Sequence, residues 1–312
     1  MSSYQYLVKG ALKHVQRIVV NKFENKFETI YFLPEGKDRK GVGGLRTKGI
    51  YKKTQLKKPL ITVVTVVYNG EKFLEETIQS VINQTYDNVE YIIVDGGSSD
   101  RTLDIIRKYE HAIDYWVSEK DKGIYDAMNK GIELATGDWI NFMNAGDTFF
   151  NKLVLCGIIH DFNNYDVVYG STMLKKNDSL RLVVPRSVNS ILYGRLPFIH
   201  QSSFVKSNVL KSNLFSDQYS VNSDFNLFLK LYIVGASFHE LHELISIYDG
   251  YGFSSRSQKI SYNEKLSILK ANKVSTIGYL FYYYLAKFRM VLKFLLCPVI
   301  KTLKLSQFKT HC

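Results

Sequence analysis

Cysteine is scarce in this chain and poorly spaced for metal binding: Cys156, Cys297 and Cys312 are odd in number, with no Cys-x-x-Cys pair. That pattern excludes a zinc–thiolate site and suits a reducing compartment. Long apolar runs are missing too. Lys9, Lys13 and Arg17 interrupt every candidate block near the start, so no secretory leader is expected. Nor does any run approach the roughly 18 residues of a membrane-spanning helix. A net positive charge is missing from the middle. Residues 59–258 hold 17 Lys/Arg against 24 Asp/Glu, whereas residues 1–58 hold 14 against 4 and residues 259–312 hold 10 against 1. A protein that reads nucleic acid carries its positive charge on the folded body, so no nucleic-acid partner is expected. Basic ends fit an anionic membrane surface, where each nearby Lys or Arg adds about 1 kcal/mol. The alternative is a pair of solvated tails.

What is present is a core-forming composition, 46% hydrophobic and 14% aromatic over 312 residues, which excludes global disorder. Residues 60–68, LITVVTVVY, form a β-branched run of strand length, as expected of a strand covered on both faces. Phe73, Leu74, Thr77, Ile78, Val81 and Ile82 then recur at helical spacing. The same cycle returns with a strand at Tyr91–Val94, a turn at 95–99, and a helix over 100–109 capped by Ser99 or Asp100. A strand at Tyr115–Val117, a helix from Ile124 to Ala135 and a strand from Asp138 to Met143 follow. Regular βα units with short connections predict an α/β fold with a doubly wound, mostly parallel sheet.

Ligands bind beyond the carboxyl ends of the strands in such sheets. Asn69, Asp95, Asp121 and Asp147 all fall there, and four polar groups at four successive strand ends exceed ordinary turn chemistry. Asp147 alone offers one carboxylate to a hard cation, with Mg2+ suited to such a sparse site. On its own, Gly146-Asp147 reads first as a plain turn, and only its context argues for a site.

Beyond residue 151 the pattern predicts α+β cover on one end of the sheet. A helix is expected around 153–162, strands near 167–174 and 180–184, and a helix over 224–234. Near the end, Ile277, Phe281, Tyr284, Phe288, Val291, Leu292, Leu295 and Val299 share one side of a helical wheel, opposite Lys287, Arg289, Lys293, Lys301 and Lys304. A weaker copy places Val8, Leu12, Val15, Ile18 and Val19 opposite Lys9, Lys13 and Arg17. Both read either as helices lying in a membrane interface or as helices packed on the domain. Three regions follow: a basic N-terminal extension over 1–58, a catalytic domain over 59–255 with halves 59–150 and 151–255, and a basic amphipathic region over 256–312.

Four segments, taken in order, resemble the inverting family 2 glycosyltransferases of the GT-A fold, in particular bacterial enzymes of O-antigen and exopolysaccharide synthesis. They are Thr65-Val-Val-Tyr-Asn-Gly70, Ile93-Val-Asp-Gly-Gly-Ser-Ser-Asp100, residues 118–131 (SEKDKGIYDAMNKG) and residues 137–147 (GDWINFMNAGD). The resemblance covers roughly residues 58–250. It implies that Thr65 and Asp95 contact the nucleotide base, with Gly96 in the same turn and Tyr68 and Asn69 lining that end. It places Asp121 and Gly123 beside the nucleotide sugar and Asn129 on the donor. Asn144, Ala145, Gly146 and Asp147 stand where the family has its Asp-x-Asp element, and Asp147 alone keeps the charge for Mg2+ or Mn2+. His200 and Gln201 resemble a segment next to the acceptor or diphosphate. Asp224 resembles the family's acidic residue at a helix start, the general base, although the helix dipole also favours an acid there.

The resemblance implies transfer from a nucleotide-diphospho-sugar, a UDP-sugar above all, to a polyprenyl-diphosphate-linked acceptor at the cytoplasmic face of the inner membrane, without spanning it. The rivals are a sugar nucleotidyltransferase and a noncatalytic membrane scaffold. The first should carry a glycine-rich basic loop after its first strand, where this chain has Tyr68-Asn-Gly-Glu-Lys72.

Overall fold

The computed structural model describes residues 30–288, apart from 163, 177–178 and 251–257. Its centre is β2 (Ile61–Val67), every residue of which is buried. Alternation divides that strand between two cores: Ile61, Val63 and Val67 face one, Val64 and Val66 the other. Helices α1 (Leu74–Ile82) and α2 (Thr102–Lys108) contribute Leu74, Ile78 and Ile106 to the first core. Helix α3 (Ile124–Leu134) contributes Ala127, Met128 and Ile132 to the second. The Asp100 carboxylate accepts the amide of Thr102 at 3.0 Å, so Asp100, rather than Ser99, takes the free N–H at the start of α2.

Strand β3 (Val89–Asp95) lies parallel to β2 on one side and β5 (Trp139–Phe142) parallel to it on the other, with β4 (Tyr115–Ser118) parallel beyond β3. The chain therefore steps outward through β3 and β4 and returns across β2 to β5. This reversal opens a crevice at the carboxyl ends of β2 and β5, the place where wound sheets take ligands.

The second half differs from the expected cover. Strands β7 (Val167–Lys176), β9 (Ser203–Lys206) and β10 (Phe238–Asp249) continue the same sheet. Strand β9 runs antiparallel to β5 through Ile140 and Val205, and β7 pairs β9 antiparallel and β10 parallel. With β1 (Gly41–Gly43), β6 (Thr148–Phe149) and β8 (Ser179–Val183), the order is β1-β4-β3-β2-β5-β9-β7-β10-β6, with β8 on β7. A parallel centre thus carries a mixed flank. Helices α4 (Val154–Ile158), α5 (Ser207–Lys211), α6 (Ser223–Ile233) and α7 (Gln258–Ala271) pack around it.

Residues 30–58, assigned from sequence to a separate basic extension, add to this body. Strand β1 pairs antiparallel with β4 and covers its edge. Behind it, the buried Arg46 guanidinium meets the buried Glu90 carboxylate at 2.6 Å and donates to the Leu134 carbonyl. Residues 277–288 are helical, and Ile277, Phe281, Tyr284 and Phe288 are exposed along one face. The expected N-terminal amphipathic helix, and the part of the last helix beyond 288, lie outside the described residues.

Candidate active site

A cavity of about 1240 Å³ occupies the crevice. Among the carboxylates that line it are Asp147 and Asp224, and a single dipeptide joins these two. The Gln201 side-chain amide donates to Asp147 Oδ2 at 2.7 Å, and His200 Nδ1 stands 3.4 Å from Asp224 Oδ2. Side chains 77 positions apart in sequence thereby face one space.

Asp147 follows β5 on a corner made by Gly146, whose φ of 102° is a left-handed backbone that side chains disfavour. The Asp147 carboxylate is buried and also accepts the Asp249 backbone N–H at 3.0 Å. Burial pushes its pKa up to about 7 against the pull of those hydrogen bonds, and the neighbouring Asp249 carboxylate adds to the rise. Asn144 and Gln201 sit beside it, buried, each with a side-chain oxygen that has no hydrogen-bond partner. Orphaned buried oxygens around a carboxylate are the donor set of a hard cation. The described residues hold no cluster of three or more His, Cys, Asp or Glu for a metal. The site therefore fits a divalent ion held by Asp147 and amide oxygens and completed by a ligand's own oxygens.

Asp224 sits in the first turn of α6, where the helix N-terminus favours its charge. The Phe225 N–H donates to its Oδ1 at 2.7 Å, and the Tyr125 hydroxyl lies 3.4 Å from the same oxygen. The loop before α6 is clamped by Glu264 of α7, which accepts the backbone N–H groups of Ser220, Val221 and Asn222. Burial raises the Glu264 pKa, the hydrogen bonds outweigh it, and the net shift is downward.

The other expected residues divide. Tyr68, Asn69, Asp121, Gly123, Asn144 and Ala145 line the cavity, and Tyr68 is two-thirds exposed at 66%. Asn69 takes a left-handed φ of 50°, and its side-chain oxygen accepts the Ser99 N–H. Burial raises the Asp121 pKa, and its carboxylate accepts the Gly123 N–H at 2.9 Å. Thr65 and Asp95, expected at the nucleotide base, are buried and do not line the cavity. The Thr65 hydroxyl donates to the Met143 carbonyl, and the Asp95 carboxylate accepts from Ser98 and Ser118. Gly96 is buried, with the Asp121 carboxylate directly over it. Asn129 lines the cavity, but its amide is engaged in two 2.9 Å hydrogen bonds with the Phe215 backbone.

Tyr125, Asp249, Arg186, Arg195 and Lys265 also line this space, and sequence analysis singled out none of them. Tyr125 lies within the 118–131 segment without having been given a role there, and no local motif marks the other four, which tertiary packing brings together.

Residues 62–215 match the model of the family described as Glycosyl transferase family 2. An uncharacterised glycosyltransferase of Mycobacterium tuberculosis is 33% identical over 158 residues, covering 49% of this chain and 60% of the relative. A PGL/p-HBAD biosynthesis glycosyltransferase of Mycobacterium bovis is 26% identical over 204 residues, covering 62% of this chain and 78% of the relative. The chain thus spans less than two thirds of the length of the first of these. Among solved structures, Staphylococcus aureus TarS in complex with UDP-GlcNAc aligns with a TM-score of 0.55 at 20% identity, over 68% of this chain and 65% of that one. A Pyrobaculum calidifontis mannosyltransferase in complex with GDP-Man and Mn2+ aligns with a TM-score of 0.53 at 18% identity, over 72% and 66%. At those identities the structural likeness shows the fold, the GT-A arrangement.

Proposed function

The chain belongs to glycosyl transferase family 2, and on that premise we propose that it moves one sugar from a nucleotide-diphospho-sugar, in our reading a UDP-sugar, to a lipid-linked saccharide, inverting the anomeric centre. The product enters cell-surface polysaccharide. The observation that carries this reading is the placement of Asp147 and Asp224 on one cavity, joined through Gln201 and His200.

In the reaction, the acceptor hydroxyl oxygen bonds to the anomeric carbon, the carbon–oxygen bond to the diphosphate breaks, and the hydroxyl proton passes to a base. Asp224 is that base: its carboxylate faces the cavity, and both His200 and Tyr125 hold it there. Attack from the face opposite the leaving group inverts the centre. A divalent ion bound by Asp147, Asn144 and Gln201 would neutralise charge on the departing diphosphate. Tyr68, exposed at the end of β2, offers a ring face to the base of the nucleotide.

The chain works against an anionic membrane surface, at the cytoplasmic face of the inner membrane. The net positive charge of residues 259–312 and the exposed apolar face of residues 277–288 support this. Among the described residues, no helix is long and apolar enough to cross a membrane.

The test is a donor-by-variant matrix with Mn2+ present. Asp224→Asn should retain UDP affinity within about twofold and lose about 10²–10⁴-fold in transfer, the contribution of a general base. Full transfer by that variant, or the absence of transfer from every nucleotide sugar by the unaltered chain, would overturn the assignment.

A further inference from the structure

We propose that Arg186, Arg195 and Lys265 form an anion subsite on the acceptor side of the cavity, which binds the phosphate of a lipid-linked acceptor. The inference rests on the transferase reading and assigns the acceptor's charge to named residues.

All three line the cavity. Among the described residues none of them makes an ion pair. They crowd one another instead. Burial lowers the Arg186 pKa, and Arg195 and Arg181 lower it further; burial, then Arg195 and Arg186, lowers that of Lys265, with Asp224 opposing. Cations gathered on a cavity wall and repelling one another create a field that an anion would relieve. Residues 59–258 carry more acid than base, 24 against 17, so this local excess runs against the charge of the surrounding body.

Their charges are felt at the base rather than at Asp147: Asp224 acts on Lys265, whereas none of the three is among the groups that shift Asp147. Along the cavity, Asp147 contacts Gln201, the adjacent His200 contacts Asp224, and Asp224 in turn acts on Lys265. Lys265 Nζ stands 5.6 Å from the centre of the Phe225 ring, one residue past the base. Lys265 therefore lies beside the base, with Arg195 and Arg186 near enough to act on it in turn. The Arg195 guanidinium rests 5.5 Å from the Tyr282 ring, on the helix whose Ile277, Phe281, Tyr284 and Phe288 are exposed. Cationic rim and apolar helix face thus adjoin, the arrangement that suits a phosphate joined to a hydrocarbon chain.

Inorganic phosphate titrated into the full chain saturated with UDP and Mg2+ tests this. Phosphate affinity should fall about ten- to a hundredfold in the double variant Arg186→Ala/Arg195→Ala, as when charged hydrogen bonds are removed. UDP affinity should stay within about twofold, and Arg195→Lys should recover part of the loss. Both arginines are exposed, so folding should survive their truncation. Unchanged phosphate affinity, or an equal loss for UDP, would overturn the subsite; the second result would give these cations to the donor. Vesicles of phosphatidylcholine doped with either polyprenyl monophosphate or phosphatidylglycerol, at equal mole fraction, distinguish the source. A preference for the first that the double variant lacks supports the proposal, and equal binding overturns it. Should the unaltered chain bind no nucleotide at all, the transferase reading fails separately, and phosphate titration of the free chain still reports on the cluster.

Discussion

A carboxylate with its pKa near 7 is poised rather than settled, and Asp147 is in that state because burial outweighs two good donors. Its folded pKa lies above its unfolded value, so its contribution to stability is present at low pH and is lost as pH rises through about 7. In metal-free protein, Asp147→Asn should therefore stabilise the fold increasingly above pH 4, levelling off beyond pH 7 at no more than about 4 kcal/mol. Thermal melts at pH 5 and pH 8 read this directly, and a substitution that destabilises at pH 8 would contradict the account. The same variant should lose transfer, because the amide cannot supply the cation's charge. Asp147 was legible only in context, since a Gly-Asp corner alone reads as a turn and it is the polar groups at the other strand ends that set it apart. The inward turn of Thr65 and Asp95 was not. Strand alternation says that neighbours face opposite sides but not which side is the cavity, and Ser98 and Ser118 give Asp95 a complete set of partners.

At the level of elements, the four strands from β2 to β5 were readable because each is an apolar run ending on a polar corner. The flank was not. Strand β10, FHELHELISIYD, mixes charge and aliphatic residues in a way that declares neither a strand nor a face. Strand β1 is a three-residue GVG with no hydrophobic signal. The segment carrying β1 matters nonetheless, because Arg46 and Glu90 are both 2% exposed and each compensates the other. Arg46→Ala should cost about 3–5 kcal/mol by leaving the Glu90 carboxylate buried and unpaired. Denaturant unfolding measures it, and a loss under about 1 kcal/mol would mean that water or Thr136 already satisfies Glu90. Asp224 shows the limit of reading a motif by itself: an acid in a first helical turn is common, and only tertiary packing against His200, 24 residues earlier, puts this one on the cavity wall.

Across the whole molecule, positive charge is displaced toward the ends of the chain, and residues 277–288 add an exposed apolar face. The exposed face of residues 277–288 predicts that Ile277→Ser/Phe281→Ser/Phe288→Ser will weaken binding to phosphatidylglycerol-containing vesicles by about tenfold or more while leaving the melting temperature nearly unchanged, since exposed side chains contribute little to the fold. Sedimentation with vesicles at low and high salt checks both the apolar and the ionic parts, and undiminished binding would remove this helix from the interface. The loop bearing Arg186 and Arg195 meets that helix through reciprocal contacts. A side chain on Gly194 would strike the Tyr279 ring at 2.3 Å, and one on Gly278 would strike the Tyr193 ring at 2.4 Å. Gly194 also holds a left-handed φ of 73°, so Gly194→Ala should cost about 2 kcal/mol or more from strain and collision together. Two aromatic knobs seated on bare backbone leave no slack between loop and helix, so they travel as one rigid piece. If the proposed membrane contact holds, a tilt of that helix on a bilayer would aim the mouth of the cleft by the same angle, and binding to the surface would point the enzyme at its acceptor.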